Sequence, residues 1–99
     1  MGDYKTLYLN LADNVAVALS EIPAQTSVTV VNKDLEIQLK ILESISFGHK
    51  FAVRDIKKNE DIIKYGEVIG AAVSDIKAGS HVHVHNLEGK RGRGDKLVQ

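Results

Sequence analysis

Histidine stands at positions 81, 83 and 85, alternating with Val82 and Val84. In an extended strand that spacing sends all three imidazoles to one face and both valines to the other, toward a core. Same-face neighbours lie about 6.5–7 Å apart, near enough for two imidazoles to close on one divalent ion at bonds of about 2.0–2.1 Å. His81 and His85 would be about 13 Å apart in a straight strand, so one ion takes all three only if the strand bends. The expected metal ligands are His83 and His85, with His81 next to them. Two imidazoles leave coordination positions open, as a catalytic metal needs, and the remaining ligands must come from elsewhere. A half-solvated strand face or a subunit contact that binds nothing is an equally weighted alternative for this motif alone.

Gly48-His49-Lys50 sets a titratable ring and a cation side by side on a turn before an apolar run. Loops commonly carry function, and this pair suits an anionic substrate; the plain alternative is a histidine bonded to a nearby carbonyl beside a solvated lysine. Ile63-Lys64-Tyr65-Gly66-Glu67 reads as a strand ending in a glycine turn. The Tyr65 hydroxyl there can donate to a ligand or simply cap the edge of the core. The substrate-binding candidates are thus His49, Lys50 and Tyr65.

The elements that must position these residues are short and β-like. Leu7, Leu9 and Leu11 alternate with Tyr8 and Asn10, the period-two pattern of a half-buried strand from Thr6 to Leu11. Val15-Ala16-Val17-Ala18-Leu19 fits either a buried strand or a helical turn capped by Asp13. A turn follows at Glu21–Gln25, around the single proline, Pro23. Ser27–Val31 and Leu35–Leu39, separated by Asn32-Lys33-Asp34, read as a β-hairpin. A weak internal repeat then relates Phe51-Ala52-Val53-Arg54-Asp55-Ile56 to Ala71-Ala72-Val73-Ser74-Asp75-Ile76; each run is followed by lysine, a turn and another β-like segment. Strand, tight turn and strand, repeated, imply antiparallel ribbons folded onto each other.

Composition bounds the remaining choices. The 99 residues carry 13 basic and 13 acidic side chains, a formal net charge of +0, which favours neither nucleic acid nor an anionic membrane. Lys90, Arg91, Arg93 and Lys96 form a basic cluster, but Glu88 and Asp95 stand beside these cations and the segment has no aromatic side chain to stack on bases. With no cysteine, disulfides, thiolate zinc sites and cysteine nucleophiles are excluded, and a reducing cytoplasm is the expected compartment. No apolar run reaches the roughly 18 residues that span a bilayer. Met1-Gly2 within a loose myristoylation pattern and Arg93-Gly94-Asp95, an adhesion tripeptide, are read as coincidences. One domain over residues 1–88 is expected, followed by a basic, glycine-rich tail over 89–99 that contributes nothing to the core. A chain this small buries only about 60–70% of its unfolded surface and has little room for an enclosed active site.

Taken together, Asp13-Asn14-Val15-Ala16-Val17-Ala18, Gly48-His49-Lys50-Phe51-Ala52, Ile63-Lys64-Tyr65-Gly66-Glu67-Val68-Ile69-Gly70 and His81-Val82-His83-Val84-His85-Asn86 resemble the small N-terminal module of the altronate dehydratase family. The resemblance covers most of residues 6–95, and four blocks in order are far more specific than any one of them. It implies a mostly-β fold, a single SAF-type β-clip domain of short antiparallel strands. It also implies a role as small subunit or N-terminal module of a metal-dependent lyase, with iron or manganese as the metal. The reaction would be elimination of water from a sugar acid such as altronate or galactarate, or of sulfite from sulfolactate. The implied partners are a large catalytic dehydratase chain, without which this hydro-lyase component is expected to be inactive, and a further copy of the chain in a homo-oligomer. The end at Gln99 and the Arg91-Gly92-Arg93-Gly94-Asp95 segment look more like a separate small subunit than a fused enzyme. The competing expectation is a non-catalytic SAF binding or assembly module, which has no chemical need for the histidine strand.

Overall fold

The computed structural model describes residues 4–33, 35–83 and 85–88. Among them are nine strands and no helix: β1 (Thr6–Leu7), β2 (Val15–Ala18), β3 (Ser27–Asn32), β4 (Leu35–Lys40), β5 (Lys50–Ala52), β6 (Asp61–Lys64), β7 (Glu67–Ala72), β8 (His81–Val82) and β9 (Leu87–Glu88). They form a four-stranded sheet in the order β1-β2-β5-β8, the hairpin β3-β4 and a three-stranded sheet β6-β7-β9, all with antiparallel pairing. The mostly-β expectation therefore holds.

The segment that sequence left between strand and helix is β2, and packing explains why. All four of its side chains are buried. Ala16 and Ala18 face a core with Tyr8, Ile22, Val28, Val30, Ile41, Ile45 and Phe51, whereas Val15 faces a second core with Ala52, Ile56, Ile62, Ala72, Ile76 and Val82. A strand covered on both faces reads as a continuous apolar run, which hides its period.

The expected first strand is shorter than its pattern, and its faces are reversed. β1 stops at Leu7, Tyr8 is buried, and Leu9 and Leu11 are 58% and 62% exposed. The Tyr8 hydroxyl donates to the Asp13 carbonyl at 3.2 Å, so the ring can enter the core with its polar end satisfied. The predicted hairpin is present as β3–β4, in register from Ser27↔Lys40 to Asn32↔Leu35.

The internal repeat is fourfold rather than twofold. Ala18, Ile41, Ala52 and Ala72 each begin a copy, with a buried isoleucine four residues on (Ile22, Ile45, Ile56, Ile76) and a left-handed residue seven residues on (Gln25, Gly48, Asn59, Gly79). Copies pair two by two. Ile22 and Ile45 exchange both backbone bonds at 2.8 Å, as Ile56 and Ile76 do at 2.8 and 2.7 Å. In the second pair the symmetry extends to side chains: Asp55 accepts the Ala78 N–H and Asp75 accepts the Lys58 N–H, both at 2.9 Å. The second pair of copies is the repeat legible in the sequence. The first escapes notice because Glu21 and Ser44 stand where the two aspartates would be.

Candidate functional site: a histidine cluster at the β5–β8 edge

The β5–β8 pair brings the site together. Phe51 lies opposite His81 and Lys50 opposite Val82, which places His49, just ahead of β5, on the same face as His81 and His83. The three rings stack with centroids 5.1 Å apart for His49–His81, 4.6 Å for His49–His83 and 5.4 Å for His81–His83. His49 Nδ1 is 2.9 Å from His81 Nε2, a hydrogen bond in which one nitrogen carries the proton. One nitrogen from each of the three rings lies within 4.8 Å of the others.

The histidine strand differs from the extended run expected for residues 81–85. Regular pairing ends at Val82, because Asn86 folds the chain back: its side chain accepts the His83 N–H at 2.9 Å and donates to the His81 carbonyl at 2.8 Å. The resulting turn brings the exposed His85 ring to 5.4 Å from that of His81, where a straight strand would hold them far apart. Among the described residues, the group whose ligand atoms converge closely enough to hold one ion is His49, His81 and His83. Val84 lies outside the described residues, as does the 89–99 tail.

Electrostatics disfavours the charged form of two rings of the cluster. Burial, then the neighbouring His49 and His85 rings, push the His81 pKa below the ordinary imidazole value, against the pull of Glu43. His83 is pushed down as well, by loss of solvent first and then by His49, Lys50 and His85. Glu43 also accepts the His81 N–H at 3.1 Å, a contact that no local motif announced. Neutral imidazoles are the form that binds metal.

Next to the histidines, Lys50 is half-buried. Its pKa is lowered by burial and then by the Lys64 ammonium. Lys64 sits at the end of β6, its Nζ 5.0 Å from the centroid of the Tyr65 ring. Tyr65 occupies the β6–β7 turn in a left-handed conformation and is 41% exposed. The structure thus places His49 among the potential metal ligands, Lys50 beside them, and Tyr65 on the hairpin that carries Lys64. Sequence reasoning passed over Lys64, and over Asp13 and Asn14, whose side chains hold that hairpin.

Residues 4–90 match the family model described as the altronate/galactarate dehydratase SAF domain. The chain belongs to that family. It is 45% identical over 78 residues to the altronate dehydratase of Escherichia coli, covering 79% of this chain and 15% of that protein. With the (2R)-sulfolactate sulfo-lyase subunit alpha of Chromohalobacter salexigens it shares 44% identity over 62 residues, covering 63% of this chain and 66% of that one. The corresponding subunit of Paracoccus pantotrophus is 42% identical over 64 residues, 65% of this chain and 92% of that protein. The SAF domain thus spans a small part of the dehydratase and most of the sulfo-lyase subunits. No helix among its described residues is long and apolar enough to cross a membrane.

Proposed function

We propose that this chain is the small subunit, or the N-terminal module, of a metal-dependent lyase that eliminates water or sulfite from a hydroxylated carboxylate of the sugar-acid type. The observation that carries the reading is the convergence of His49, His81 and His83 within 4.8 Å, on a domain of a dehydratase family. The donor set suits a divalent transition metal, since neutral imidazole binds iron, zinc, copper and nickel well. Two nitrogens at right angles on one ion, each bonded at about 2.1 Å, are about 3.0 Å apart, close to the 2.9 Å between His49 and His81. Iron or manganese is the metal favoured by the family resemblance. When bound, such an ion supplies Lewis-acid stabilisation of the enediolate that forms when the proton α to the carboxylate leaves.

The chain's own residues supply binding and orientation. His49, His81 and His83 hold the ion, Lys50 draws in the substrate carboxylate, and Tyr65 lines the approach. Glu43 fixes His81 through the backbone. A β domain this small has little room for a water-excluded pocket in which to assemble base and acid as well. A large catalytic chain therefore completes the site, and the isolated chain has no elimination activity.

Co-purification with the chain it partners, followed by a screen of altronate, galactarate and sulfolactate, tests the reading. Turnover by the assembled complex and none by this chain alone is the expected result. Turnover by the lone chain would overturn the shared-site reading, and a complex inactive on every hydroxy acid would overturn the lyase assignment.

A further inference from the structure

β8 is the outer strand of its sheet, so one row of its backbone groups meets no neighbouring strand. At His81, and at His83 just beyond the strand, two side-chain-bearing residues fill the open groups instead. Glu43 accepts the His81 N–H at 3.1 Å. Asn86 takes the rest. Its side-chain amide accepts the His83 N–H at 2.9 Å and donates to the His81 carbonyl at 2.8 Å, while its backbone N–H donates to the His83 carbonyl at 3.0 Å. Asparagine suits the place because its side chain carries a carbonyl and an N–H group side by side, so one residue can accept from one backbone and donate to the next.

Asn86 is itself held. It is 8% exposed, and its carbonyl accepts the Val73 N–H at 3.1 Å. The next residue, Leu87, opens β9 and pairs with Ala72 of β7, in the other sheet. β9 lies tightly on β7, since a Cβ added at Gly70 would run into the Glu88 carbonyl. The end of the histidine strand is thus tied, through one buried residue, to a sheet that supplies no ring to the cluster.

We infer that Asn86 is a positioning residue for the histidine cluster: by bridging the backbones of His81 and His83 it sets the separation of their rings for a single metal ion. The inference rests on the proposed metal site; the hydrogen bonds themselves do not. Metal–ligand distances must be met to within about 0.2 Å, so the spacing of two ligand-bearing residues bears directly on affinity. Rings on a fraying strand end would have to be ordered as the ion binds, whereas a bridge made beforehand spares that cost. Glu43 assists at His81 alone. The His49 N–H donates to the Ser46 carbonyl at 2.9 Å, within its own turn, so Asn86 governs two of the three ligands.

The test uses the 99-residue chain with Zn²⁺ as probe, calorimetry for affinity and ring-nitrogen NMR for geometry. Asn86→Ala should weaken Zn²⁺ binding about tenfold or more, as loss of an outer-shell partner does in other metal sites. In the metal-free chain it should move the His81 and His83 ring signals and weaken the His49–His81 hydrogen bond, while the Val28 and Val30 amide signals stay in place. Val28→Ala, a core truncation in β3, which lends no residue to the cluster, should lower Tm but leave Zn²⁺ affinity unchanged wherever the chain is folded. Asn86→Asp keeps the shape and the acceptor, loses the donor and adds a negative charge. Charge attraction alone would make it bind Zn²⁺ more tightly than the wild type; loss of the bridge makes it bind more weakly, which is the expected result. Unchanged affinity or unmoved ring signals in Asn86→Ala, or tighter binding by Asn86→Asp, would overturn the inference and leave the metal site standing. No Zn²⁺ binding by the wild type would overturn both. Should neither variant fold, the wild-type chain decides: an Asn86 side-chain N–H protected from exchange before Zn²⁺ is added upholds a bridge made in advance, and one protected only afterwards, or never, overturns it.

Discussion

His49 and His81 are 32 residues apart in sequence, yet His49 Nδ1 and His81 Nε2 are in hydrogen-bond contact at 2.9 Å. The contact exists because β5 and β8 pair with Phe51 opposite His81, so the residue two before Phe51 falls on the face of the histidine strand. It turns a local motif into a three-ring cluster. The third ring of that cluster comes from the turn at 48–50.

Metal binding should follow that cluster. In calorimetric titrations of the chain with Zn²⁺ or Mn²⁺, His49→Ala, His81→Ala and His83→Ala should each weaken binding about tenfold or more, and His85→Ala should weaken it much less. Because the open positions are filled by water, the wild-type affinity should itself be modest. Equal losses from His85→Ala and His49→Ala would contradict the arrangement.

The lowered pKa values of His81 and His83 fix the sign of a pH effect on stability. In the folded state both rings bind a proton less readily than the unfolded chain, whose imidazoles titrate near about 6.5. Below that value the unfolded state holds more protons than the folded one, so stability rises with pH through this window and falls on acidification. Thermal melts without metal should therefore show Tm decreasing from pH 7.5 to pH 5.5. His81→Gln, which removes the titrating group, should flatten the slope; a Tm that rises on acidification would reverse the assignment.

What was legible in the sequence depended on how local the physics was. The hairpin β3–β4 could be read because its alternation and polar turn are adjacent in the chain. Val15–Ala18 could not be settled, since a strand buried on both faces loses its alternation. The leucines at 7, 9 and 11 misled because Tyr8 wins the core position through its hydroxyl contact with Asp13, a residue beyond the pattern. At the site, H-x-H-x-H exposed the ligand type, but the side-chain bonds of Asn86 that bend the strand, and the pairing that recruits His49, are tertiary.

The repeat supplies a stability comparison between two equivalent glycines. Gly48 and Gly79 hold the same left-handed position, with φ of 83° and 90°. An added Cβ at Gly48 meets nothing within 4 Å, whereas at Gly79 it would collide with the Lys40 carbonyl. Gly48→Ala should therefore cost about 1–2 kcal/mol, from the conformation alone. Gly79→Ala should cost distinctly more, because backbone must also move. Denaturant melts of the two variants give the comparison, and equal costs would mean that the Lys40 segment yields without penalty.

Lys50 should show a conflict between stability and function. Its ammonium is half-buried, and both burial and Lys64 push its pKa down, so the folded state binds this proton less readily than the unfolded chain does. At pH 7 both states are protonated, and the full penalty of holding the charge there is present. That penalty is relieved only as pH rises from the lowered pKa toward about 10.4, where the unfolded chain gives up its proton as well. Lys50→Met keeps the aliphatic stem and removes the charge, so it should raise Tm at neutral pH while weakening galactarate binding by the chain or its complex. The gain in Tm should shrink on approaching pH 10, the window in which wild-type stability recovers. A lower Tm for Lys50→Met at pH 7 would show that the ammonium is stabilised where it sits.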